Sequence, residues 1–312
     1  MLFIFLTLKK YDDTRMLLNR KIPVHFILDK IKFEIIYVLV IATIVYYFTQ
    51  RFKTLIPEMP LSIPAFLGTA ISVILSFKLS QSYDRWWEAR KVWGSIVNDS
   101  RSFVLQLQSF VNKGNEKKIK EIAFRQIAWC YSLGQSLRGL NPTENLERHI
   151  SPDELAAISK HNNKPLALLQ LNALQIAELK DKEQLDIFSQ LQINNTLVNF
   201  SNSMGMAERI KNTIFPSTYR LFLHFFIYLF VITLCIALRD IESRFEIPLL
   251  LVISSVFFLL EKSATNLQDP FQNEPTDTPV TTIATTIEIN IKQLLNEKDI
   301  PVLSQPNKFY LL

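Results

Sequence analysis

The chain has 312 residues, 48% of them hydrophobic and 20% charged, with a formal net charge of +5. Long apolar blocks alternate with strongly charged ones, which excludes a single soluble globule and points to a membrane protein. The basic balance reads as loops flanking apolar spans on the cytoplasmic side, with no nucleic acid as partner. The two cysteines fall in different blocks and exclude a disulfide framework, and the glycines form no phosphate-binding loop.

Residues 1–32 form an N-terminal segment expected in the cytosol. Met1 to Leu8 is apolar but too short to span, and no signal-peptide pattern follows it. Lys9, Lys10, Arg15, Arg20, Lys21, Lys30 and Lys32 precede the first span and place the N-terminus inside. Residues 33–79 carry two spans, Phe33 to Gln50 and Ile63 to Leu79, joined by a short connection. The second span continues without a helix breaker into a charged, Trp-rich stretch reaching Phe103. One long helix is expected, with Ser62 as cap and Pro64 in the first turn. Some 40 residues at ~1.5 Å each reach ~60 Å, about twice the hydrocarbon thickness. Two stripes with four-residue spacing run along its apolar half: Gly68, Ser72 and Ser76, and beside them Thr69, Val73 and Phe77. Ordinary packing within a helical bundle explains both stripes as well.

Residues 80–217 form a helical block without a span. After the long helix, Lys113-Gly114-Asn115 is a break, and residues 116 to 139 form a second helix. Ser151-Pro152-Asp153-Glu154 is a capping box that starts a helix expected to run to about Leu179. Another is expected from Lys182 to Lys211. Residues 218–264 hold the third and fourth spans, with Arg220 and His224 near the start of one and Glu261 and Lys262 at the interface end of the other. Residues 265–312 form a cytosolic turn, a last helix capped by Thr278 with Pro279 first inside it, and a tail. Four spans return the C-terminus to the cytoplasm.

The run from Phe77 to Gly94, with Tyr83-Asp84-Arg85-Trp86-Trp87-Glu88, resembles the signature of the bestrophin family. So do Asp269-Pro270-Phe271, Glu208-Arg209 and Thr286-Ile287-Glu288, in order along most of the chain. The resemblance, closest to the bacterial branch, implies an all-α multi-pass protein of the inner membrane. It implies a homopentamer with four spans and a large cytosolic helical bundle per subunit, embedded in lipid. The second span lines a central pore, and its neck falls on Thr69, Val73 and Phe77. A second constriction falls on Ile187 and Phe188. The family's calcium clasp is reduced here to Asp269, Glu274 and Asp277, fewer than the six or more oxygens calcium favours. No cofactor and no calcium dependence are expected; small ions are the permeant species.

An apolar neck gates by dewetting and leaves the sign of the ion to charges near its ends. Lys78 and Arg85 favour anions such as chloride, the first expectation; Asp84 and Glu88 favour cations, the alternative. Asp84, Arg85, Glu88 and Lys91, at i,i+3 and i,i+4 spacings, also make structural ion pairs. A membrane enzyme using Asp84 and Glu88 as a carboxylate pair lacks a nucleophile–base arrangement in the sequence. A membrane scaffold or sensor is the remaining class.

Overall fold

The computed structural model describes residues 24–52, 55–213, 216–240 and 243–302. The basic N-terminal run up to Lys21 and the end of the tail lie outside these residues. Among the described residues the secondary structure is helical, with no strand. The helices are α1 (Val24–Arg51), α2 (Ser62–Phe110), α3 (Glu116–Leu137), α4 (Pro152–Ser159), α5 (Lys164–Asp181), α6 (Ile187–Asn212), α7 (Ser217–Ala237), α8 (Ser243–Gln268) and α9 (Val280–Leu294). Stretches of α1, α2, α7 and α8 are long and apolar enough to cross a membrane.

The chain divides into two compact units. One comprises residues 22–88 and 212–270, and the other residues 89–211 with the chain from Phe271 onward. Helix α2 contributes to both, passing from the first into the second between Glu88 and Ala89.

In the first unit α1, α7 and α8 pack with the apolar half of α2. Its core includes Ile31, Val38, Ile71, Leu75, Ile227, Val231 and Phe258. Large apolar side chains remain exposed on these helices, among them Phe33, Leu221, Phe222 and Val252. In water such a surface would be unfavourable at ~25 cal/mol per Å²; against lipid it is at home.

The second unit has a conventional aromatic core. Phe200 sits between Phe103 and Trp129, with ring centroids at 5.6 and 5.1 Å. Helix α3 crosses α9 closely at Gly134, where a Cβ would lie 3.2 Å from Val280 Cγ2. Ile283, Ile287 and Ile291 form the buried edge of α9. Cys130 is enclosed in this core beside Ser100 and Gln126, and burial pushes its thiol up to about 12. It is a packing residue rather than a nucleophile.

Two expected elements change. The helix from Ser151 stops at Ser159, and α5 begins separately at Lys164. Pro165 has no N–H to donate and disfavours helix at the residue before it. Asn163 supplies the new cap, accepting from the Leu166 N–H at 3.0 Å. Thr278 does not cap the last helix, because Pro279 occupies the N-cap and the helix starts at Val280.

The capping box at α4 has a tertiary role as well. Glu154 Oε2 accepts the Ser151 N–H at 3.0 Å, while Oε1 accepts from the buried Arg125 guanidinium on α3. Arg125 Nη1 also donates to Asn172 Oδ1 and Gln175 Oε1 on α5, each at 2.8 Å. One arginine thus ties three helices together. Burial raises the pKa of Glu154, but the Arg125 and Ser151 hydrogen bonds outweigh it and hold the carboxyl below its ordinary 4.5. A depressed carboxyl pKa contributes stability above the unfolded-state value and loses it as pH falls through the folded one. Glu154→Gln is therefore expected to be less stable than the parent at pH 7. The gap should narrow progressively as denaturant unfolding is repeated below the ordinary carboxyl value.

Candidate functional site

The apolar half of α2 has two faces set by the 3.6-residue repeat. Pro64, Ile71, Leu75, Lys78 and Ser82 are buried against the rest of the first unit. Thr69, Ser72, Val73, Ser76, Phe77, Ser80, Gln81 and Asp84 are exposed. Thr69, Val73 and Phe77 thus share one face, with Phe77 66% exposed. Thr69 Oγ1 donates to the Ala65 carbonyl at 2.9 Å and Ser72 Oγ to the Gly68 carbonyl at 2.8 Å. Their hydroxyl protons are occupied by the helix backbone, which leaves oxygen lone pairs on this face.

The small-residue stripe splits. Gly68 packs on α7, where a Cβ would lie 3.1 Å from the Phe230 ring. Ser72 and Ser76 remain on the exposed face beside Thr69, Val73 and Phe77.

Lys78 does not lie on that face. Its side chain is 2% exposed, and Nζ donates to Glu261 Oε1 at 2.8 Å and Thr265 Oγ1 at 2.9 Å. Thr265 closes the triangle by donating to Glu261 Oε1 at 2.9 Å. The Glu261 side chain has no exposed surface, with Arg220 Nε at 3.7 Å and His224 Nε2 at 3.4 Å from its oxygens. Glu261 is therefore enclosed by α2, α7 and α8 rather than turned to water. Beside it Lys262 pairs with Glu34 of α1 at 2.8 Å. The signal for this cluster was present in the chain. Lys78, Glu261, Arg220 and His224 are ionisable groups within or at the ends of apolar spans, and such groups seek one another.

Arg85 is also committed elsewhere. Its Nε donates to the Gln268 carbonyl at 2.8 Å and its Nη2 to the Thr213 carbonyl at 3.0 Å, closing the ends of neighbouring helices. Glu88 is half-buried, whereas Asp84 is exposed. Tyr83, Trp86 and Trp87 stack in sequence, with centroids 5.8 to 6.5 Å apart.

Ile187 and Phe188 lie in the second unit at the first turn of α6, where Phe188 is 82% exposed. Asp186 caps that turn, accepting the Phe188 and Ser189 N–H groups at 2.9 and 3.0 Å. Asp277 is buried and its Oδ2 accepts the Asn273 N–H at 2.6 Å, which ties its own loop. Among the described residues no group of three or more His, Cys, Asp or Glu side chains is placed to hold a metal.

The fold and the two-faced helix define an all-α, multi-span membrane protein. The family profile Bacterial/Fungal Bestrophin protein matches residues 13–293, and the chain belongs to that family. It is 32% identical over 247 residues to the voltage-dependent anion channel-forming protein YneE of Salmonella typhi, covering 79% of this chain and 80% of that one. The Escherichia coli K12 protein of the same name is 31% identical with the same coverage. A crystal structure of a bacterial bestrophin homolog from Klebsiella pneumoniae superposes with a TM-score of 0.80 at 26% identity, covering 86% of this chain and 100% of that one. The family is one of ion channels and not of enzymes, which sets aside a catalytic Asp84–Glu88 pair.

Removing one partner of a buried ion pair strands the other charge and costs about 3–5 kcal/mol, whereas replacing both with apolar residues is often neutral. Glu261→Leu alone is therefore expected to lower the thermal stability of the detergent-purified protein sharply. Lys78→Met combined with Glu261→Leu should recover most of the loss in the same melting assay.

Proposed function

We propose that this chain forms a homopentameric channel in the bacterial inner membrane, with both termini cytoplasmic, that passes small anions such as chloride. The exposed face of α2 lines the axis, and Thr69, Val73 and Phe77 form the neck. The observation that carries this reading is the unpartnered stripe itself. A regular row of side chains stays uncovered on a helix whose opposite face is buried and fastened. Repetition of the stripe about an axis gives a ring of hydroxyls followed by two apolar rings, a collar that conducts only when wetted. Ile187 and Phe188, exposed at the start of α6, suit a second constriction. The anion assignment is supported by the names of relatives 31–32% identical to this chain.

A second reading, cation conduction, is favoured by one specific observation. Lys78 is consumed by Glu261, and Arg85 by backbone carbonyls. Asp84 is exposed on the neck face, seven residues or about two turns beyond Phe77. A ring of carboxylates there would attract cations.

Two measurements on purified protein in planar bilayers test these readings. Val73→Ala and Phe77→Ala should each raise conductance or open probability; if neither changes either quantity, the collar is not the gate. Under a KCl gradient the reversal potential should move toward the chloride equilibrium potential, and Asp84→Asn should move it further. A potential near that of potassium, lost in Asp84→Asn, establishes the second reading. An intact oligomer that passes no ion under any voltage leaves the scaffold reading.

A further inference from the structure

We infer that Lys78 and Glu261 are the positioning pair of the pore helix: their buried contact sets the rotation of α2 and thereby aims Phe77 at the axis. The inference rests on the reading of α2 as pore-lining. Consecutive residues of an α-helix stand about 100° apart around its axis. Lys78 follows Phe77 directly, so holding one side chain fixes the direction of the other. The hold is stiff because both members are enclosed, at 2% and 0% side-chain exposure, and their contact at 2.8 Å is completed by Thr265. Any rotation that carried Phe77 off its face would draw the ammonium away from both of these partners. Solvent ions screen such a buried pair weakly, so its strength should not follow bath ionic strength.

Neighbouring contacts agree in direction. The Tyr219 hydroxyl donates to the Ile74 carbonyl at 3.3 Å, and Gly68 lets α2 approach the Phe230 ring. Gly68, Ile74, Lys78 and Arg85 all lie toward the side of α2 that faces its own bundle. Of these contacts, that of Lys78 is both charged and adjacent in sequence to a neck residue.

The contact can also open without stranding the carboxylate. Arg220 and His224 on α7 stand within 4 Å of Glu261, at 3.7 and 3.4 Å. Glu261 thus has partners on α2 and on α7, and can keep the second set if α2 turns.

A functional double-mutant cycle in planar bilayers separates a positioning role from a merely structural one. Four proteins are compared: the parent, Lys78→Met/Glu261→Leu, Phe77→Ala, and the combination. If the pair acts by aiming Phe77, its removal should change conductance or open probability at least about twofold in the parent, the lower range of coupling between contacting groups. The same removal should have no further effect in the Phe77→Ala background. Lys78→Arg, which keeps a cation for Glu261, should rescue the parent's behaviour where Lys78→Met does not. Equal fold-changes in both backgrounds would overturn the inference and leave the pair as packing. If the paired variant does not yield an intact oligomer, Lys78→Arg and Lys78→Met, each made in the parent and in the Phe77→Ala variant, give the same cycle. No change in Phe77→Ala alone would take Phe77 out of the gate and overturn the inference, while a changed Val73→Ala would leave the pore reading standing.

Discussion

A charge inside an apolar helix bundle must find its opposite. Bringing a carboxylate or an ammonium out of water costs several kcal/mol even after relaxation, and only close pairing with hydrogen bonds returns it. The first unit of this protein is organised around that requirement. Glu261 receives Lys78 from α2, Thr265 from its own helix, and the approach of Arg220 and His224 from α7. The exposed face of α2 follows from which side of the helix the pair takes. Once Lys78 points inward, Val73 and Phe77 must point outward.

The second unit meets the same constraint with different chemistry. Arg125 is buried, and it is satisfied by a carboxylate that also caps a helix and by two amide oxygens. The two units thus share one device, an enclosed cation held by acceptors on neighbouring helices. They differ in surface. The first exposes aliphatic and aromatic side chains that suit lipid, while the second encloses a large core and shows charged residues outside.

Much of this was legible in the sequence. The continuity of α2 followed from the absence of breakers between Pro64 and Lys113, and the capping box at Ser151 was readable residue by residue. The break between α4 and α5 was also written, in Asn163 and Pro165, but the Leu- and Ala-rich pattern on either side overrode a local signal. The face shared by Thr69, Val73 and Phe77 was legible because helical periodicity is a local property. The fate of Lys78 was not. Its partner lies 183 residues away, and no spacing along α2 points to it. Long-range pairing of this kind depends on how three helices pack, which periodicity does not encode. The charge expected to act on the ion's sign is instead buried and paired with Glu261.

The central claim is that the exposed face of α2 meets water on a shared axis rather than lipid. Thiol labelling tests it most directly. Phe77→Cys, Val73→Cys and Leu75→Cys would be reconstituted separately and treated with a charged, membrane-impermeant thiol reagent while current is recorded. Cys130 and Cys235 are buried and provide a quiet background. The account predicts rapid modification with altered current at positions 77 and 73, and none at position 75. Modification of 73 and 77 only by a lipid-soluble reagent, with current unchanged, would contradict it.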